Sequence, residues 1–149
     1  MPRVLRLSIF VFLATLVAIQ AIRPARTNPP AVGADLMRSA PPDVGHIFDR
    51  ACRDCHSNDT RWPWYSNVAP MSWVLVDHVH EGRDHFNVSE WSTYDEDDQD
   101  KLLGSVCSLT KRGRMPFPSY LWIHHEARLS PADVATLCGW SDRMRDQLQ

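Results

Sequence analysis

No stretch of the chain alternates apolar and polar side chains as a half-buried strand must, so sheet architectures fall away and helices with loops remain. No internal repeat is present either, which removes solenoids and propellers. Clustered basic residues are missing. Of the 16 Lys and Arg residues, Arg3, Arg6, Arg23 and Arg26 flank one apolar run, leaving 12 against 18 acidic residues and a net charge of −6 for the remainder. A nucleic-acid phosphate face needs the reverse balance, so no nucleic-acid partner is expected, and a basic protein partner is compatible.

Residues 7–22, LSIFVFLATLVAIQAI, carry no charge. With Val4 and Leu5 added, and the Arg6 guanidinium reaching back to the interface, a helix here comes close to the ~30 Å apolar core of a bilayer. The favoured reading of residues 1–23 is an uncleaved signal anchor. A cleaved signal and a buried core helix are the alternatives, although cleavage after Ala21 would put Ile19 where a small residue belongs. Arg3 and Arg6 on one flank balance Arg23 and Arg26 on the other, so charge hardly decides orientation. Residues 24–42 are rich in Pro and small residues and read as a tether, and residues 43–149 as the folded domain.

Within that domain Val44, Ile47, Phe48, Ala51, Cys52 and Cys55 fall on one helical face. A second helix is expected from about Pro70 to a C-terminal cap at Gly82, with residues 83–93 irregular. Asp95 to Asp98 suit the positive end of a third helix that closes at Lys111, Arg112 and Gly113. The last helix has Ser130 as N-cap, Pro131 first and Asp133 third. The expected fold is all-α: a small cytochrome c-like helical domain with long structured loops, preceded by one transmembrane helix.

Cys52-Arg53-Asp54-Cys55-His56 is a C-x-x-C-H motif. Two thiols three residues apart on a helical turn project together and can each add to one vinyl group of a porphyrin, while the adjacent imidazole lies in reach of the iron. Zinc would require further ligands, but no second C-x-x-C and no H-x-x-x-H pair follows. A thioredoxin-like pair would need strand and helix alternation. One covalent haem c is therefore the expected cofactor, with Cys52, Cys55 and His56 at its site.

Beyond the motif, the segments QAIRPARTNPP, ACRDCHSNDTRWPWYSNVAPMSW, HVHEGRDHFNVSEW, GRMPFPSY and LSPADVATLCGW make nearly the whole chain resemble the small haem-binding domain proteins of bacterial envelopes, a branch of the c-type cytochromes. The resemblance implies an exported haem carrier at the bacterial inner membrane, its domain in the periplasm. Cys107, Cys138 and Met71 stand outside the shared pattern.

Met115, in Gly-Arg-Met-Pro, is the preferred sixth ligand, both as a soft thioether in a loop where many c-type cytochromes place Met-Pro and by the resemblance. Met71, the histidines His78, His80, His85, His124 and His125, and an open iron remain alternatives, and Met115 as a plain core methionine is another. Trp62, Trp64, Tyr65 and Trp73 are expected to wall the porphyrin or simply to form core. Arg53 and Arg61 are candidates for propionate pairing or for solvation. Cys107 and Cys138, on inward stripes of two helices, are either bridged or buried thiols.

The expected function is one-electron transfer at the membrane surface to redox partner proteins of the envelope or respiratory chain, with no catalysis by the protein itself. A haem-based sensor with a labile sixth position is the second reading. A di-haem peroxidase would need a second attachment motif, and the sequence has one.

Overall fold

The computed structural model describes residues 2–148. Among them are six α-helices, six short 3-10 turns and no strand. Helix α1 (Arg3–Ala18) runs into a 3-10 turn at Ile19–Ala21. The segment from Arg3 to Ala21 contains an 18-residue window with a mean hydropathy of 2.1, and none of that window is buried in protein. The buried-core-helix alternative therefore fails. At 1.5 Å per residue the segment is ~28 Å long and apolar on every side, long enough to cross a membrane.

Residues 24–42 are not the free tether the composition suggests. Prolines remove donors and prevent internal pairing, so the carbonyls and amides of this stretch turn to the domain instead. Asn28 Nδ2 donates to the Thr60 carbonyl (2.9 Å), Arg83 Nη1 to that of Thr27 (2.9 Å), and Asn58 Nδ2 to that of Pro30 (3.3 Å). The Ala34 amide donates to Ser92 Oγ, and Leu36, 2% exposed, enters the core. The folded unit thus begins before residue 43, and the segment is a strap.

Helix α2 (Pro42–Ala51) buries Val44, Ile47 and Phe48. The single helix expected through the cysteines is broken at Cys52 (φ −129°, ψ −36°), where a new turn, α3 (Arg53–His56), begins from its carbonyl. Helix α4 (Met71–His85) continues one turn past Gly82, and Val88–Thr93 forms a 3-10 segment where irregular chain is expected. Helices α5 (Glu96–Lys111) and α6 (Pro131–Asp146) pack against each other. They are joined by the Cys107–Cys138 disulfide, by Ser141 Oγ donating to the Leu103 carbonyl, and by Arg145 gripping both oxygens of Asp100 (2.8 and 3.0 Å). Asp95, expected in the first turn of α5, is its N-cap, the carboxylate accepting from the Asp98 amide, while Ser130 and Asp133 form a reciprocal capping box on α6 at the start the sequence predicts. Leu36, Phe48, Phe86, Trp91, Leu103, Leu137 and Trp140 make the continuous core.

Candidate functional site

Helices α3 and α4 meet at a glycine. A Cβ on Gly82 would lie 2.6 Å from the Cys55 carbonyl oxygen, so the missing side chain lets the two backbones touch. That contact is why an interior glycine sits where the sequence suggests a cap. It also sets the imidazole of His56: Nδ1 lies 3.0 Å from the Gly82 carbonyl oxygen and 2.9 Å from that of Phe86. Carbonyls only accept, so the proton resides on Nδ1 and Nε2 keeps its lone pair. Burial pushes the imidazole below its ordinary pKa, against the raising effect of those two bonds, and holds it neutral. The Phe86 ring rests 5.6 Å away, tilted at 42°.

Cys52 and Cys55 are free in the structure. Burial pushes the Cys52 thiol up to about 12 and the Cys55 thiol up to about 11, with the Asp54 carboxylate adding to the second. Both stay protonated at neutral pH, which slows their oxidation to a disulfide.

Both cysteines and His56 line one cavity of about 320 Å³, within the range of small-molecule and cofactor sites. Leu75, His78 and Gly82 of α4 form part of its wall, with Leu109 of α5 and the loop residues Met115, Pro116, Phe117 and Tyr120. The loop is pinned because the amides of Arg114 and Met115 both donate to the Leu109 carbonyl (2.9 and 3.3 Å), directly after the turn at Gly113 (φ 62°). A largely apolar slot holding two thiols, a neutral imidazole and a thioether suits a flat, apolar, iron-bearing ligand. Among the described residues no three His, Cys, Asp or Glu side chains gather as a metal set.

A family model described as a haem-binding domain matches residues 14–143. The chain belongs to the haem-binding domain family. No curated protein and no solved structure matches it. The stretch covered begins inside α1 and includes the strap, so the haem-binding domain takes in the segments that the composition alone sets apart.

The aromatic wall expected from Trp62, Trp64 and Tyr65 is not where the haem-binding domain places those residues, since none of the three lines the cavity. Trp62 donates from Nε1 to Asn28 Oδ1 on the strap (3.2 Å), and Trp64 is 77% exposed. Tyr65 is buried, its hydroxyl 2.5 Å from His124 Nε2. Trp73 donates to the Ile22 carbonyl. The aromatic wall comes instead from Phe117 and Tyr120, which local pattern did not single out. Tyr120 stacks on His124 at 4.1 Å and donates to Asp54 Oδ2 (3.2 Å); burial and that carboxylate raise its pKa. Their signal was only their closeness to Met115 in sequence.

Met115 reaches the cavity, whereas Met71 is exposed at the start of α4. Of the histidines beyond His56, His78 and His85 line the cavity. His80 and His125 are exposed, and His124 is held between Tyr65 and Glu126. Arg53 pairs with Asp49 and Asp59, and Arg61 with Asp49 and Asp54, so both guanidiniums already have carboxylate partners.

Proposed function

We propose that the chain holds one haem covalently through Cys52 and Cys55, ligates its iron with His56 Nε2 and the Met115 thioether, and passes single electrons at the membrane surface. The observation that carries the reading is the double carbonyl clamp on His56 Nδ1, within the cavity that also receives both thiols and Met115. Each thiol would add across a vinyl double bond, sulfur bonding one carbon and the thiol hydrogen ending on the other, with no net change of electrons. The clamp fixes the imidazole and, by accepting from Nδ1, makes Nε2 a stronger donor. Met115, pinned by the Leu109 carbonyl, would supply a soft ligand that favours the ferrous state. When bound, the haem supplies one-electron chemistry, and an iron with both axial positions filled exchanges electrons without binding small molecules. Apolar residues around the cavity exclude water.

The reading places α1 across the bacterial inner membrane and the domain in the periplasm, with acidic surface available to a basic redox partner. Intact mass should exceed the polypeptide by one haem, and the colour should survive acidified acetone. Loss of the colour would end the covalent reading. The ferric protein should show the thioether-to-iron charge-transfer band, and its reduced spectrum should not respond to carbon monoxide. Met115→Ala should abolish the first and open the iron to the second; unchanged spectra in that variant would assign the sixth position elsewhere, with His78 and His85 the rivals that line the cavity.

A further inference from the structure

The C-terminal end of α1 is bolted to the domain. Gln20 Oε1 accepts from the Ala69 amide (2.9 Å) while its Nε2 donates to the Ala69 carbonyl (3.1 Å) and to that of Leu16 (2.9 Å). Two residues on, the Ile22 carbonyl accepts from Trp73 Nε1 (2.9 Å), and Arg26 Nη1 donates to Ser66 Oγ (3.1 Å). A segment of ~28 Å that begins at Arg3 has used up the apolar thickness of a bilayer by Gln20. Ala69 must then lie at the depth where lipid gives way to water.

The residues flanking Ala69 are apolar and uncovered: Trp64, Val68, Met71 and Val74 are all exposed, Trp64 by 77%. Trp122 (76% exposed) and Ile123 are uncovered too, directly before His124 in the chain, whose Nε2 meets the hydroxyl of Tyr65, the neighbour of Trp64. We infer that this face rests in the headgroup region of the bilayer that α1 crosses, a step that depends on the anchor reading above. Indole rings concentrate at that depth because they have an apolar body and a polar edge. Arg23 and Arg26 stand at the same level, suited to the phosphates of anionic lipids. An apolar patch of this kind, continuous with the end of a spanning helix, is covered by lipid without any further partner. The consequence is a fixed pose. Helix α4 presents Met71 and Val74 to the bilayer and Leu75 and His78 to the cavity, which holds the haem site within a few helical turns of the membrane.

The test places a benzophenone amino acid, one position at a time, at Phe12, Trp64, Val68 and Lys101 of the full chain in its own membrane. Phospholipid adducts are read after irradiation by intact mass. Adducts at Phe12, Trp64 and Val68, several-fold above the level at Lys101 on α5, are expected. Adducts at Phe12 with Trp64 and Val68 no higher than Lys101 overturn the proposal and leave the anchor standing. Cross-links from Trp64 and Val68 to a polypeptide instead of lipid also overturn it. Absence of adducts at Phe12 removes the anchor reading and this one with it.

Discussion

Gly82→Ala should destabilise the protein, against the usual trend for a helix interior. Replacing glycine by alanine there ordinarily gains ~0.5–1 kcal/mol, because the unfolded chain loses freedom and the helix gains a good former. Here the new methyl would stand 2.6 Å from the Cys55 carbonyl oxygen, 3.2 Å from its carbon and 3.1 Å from Cys55 Cβ. Ordinary contact needs the helices to part by roughly 0.5–1 Å, and such overpacking costs ~1–3 kcal/mol. The balance is a net loss of up to ~2.5 kcal/mol, centred near ~1 kcal/mol, or a Tm lower by up to ~10 °C. Parting the helices also lengthens the bonds from His56 Nδ1 to the Gly82 and Phe86 carbonyls, now 3.0 and 2.9 Å. A weaker clamp makes Nε2 a poorer donor, so the reduction potential should rise. The assays are denaturant unfolding at matched haem content and potentiometric titration, both in detergent. A variant as stable as the parent, with the same potential, would refute the argument that this contact positions the imidazole.

Leu36→Ala should cost ~2–5 kcal/mol in denaturant unfolding, as for any buried leucine. If residues 24–42 were a free tether, the change would fall within ~0.5 kcal/mol. The Cys107–Cys138 bridge spans 31 residues, so replacing both cysteines by alanine should lower stability by up to ~3.5 kcal/mol, and a reducing agent should have the same effect on the parent alone. Ser130→Ala should cost ~1 kcal/mol by removing the cap of α6. Asp133 is held below the ordinary carboxylate range, chiefly by the Ser130 amide, so its contribution is complete above about pH 4 and fades as pH falls through its lower folded value. Unfolding midpoints of Asp133→Asn and the parent should therefore differ at neutral pH and converge in acid.

Local chemistry is what a linear chain displays. The grouping of Cys52, Cys55 and His56 on one cavity was legible because residues within a turn or so project together, and the cap at Ser130 because a helix end is satisfied by side chains within three positions. The apolar run ending at Ile22 was legible from composition, and the all-α class from the lack of any alternating stretch. Contacts between distant segments were not. Trp62, Trp64 and Tyr65 lie close to His56 in sequence, but the turn after α3 carries them to the strap and to His124, and the wall falls to Phe117 and Tyr120 some sixty residues away. Composition read residues 24–42 as unstructured because proline forbids regular hydrogen bonding within the segment, yet it leaves the carbonyls free to accept from Arg83 and Asn58. The sequence by itself determined which atoms can bind and where helices start. Tertiary packing alone decided which side chains share a cavity and why Gly82 has no side chain, because those depend on backbones 27 residues apart coming into contact.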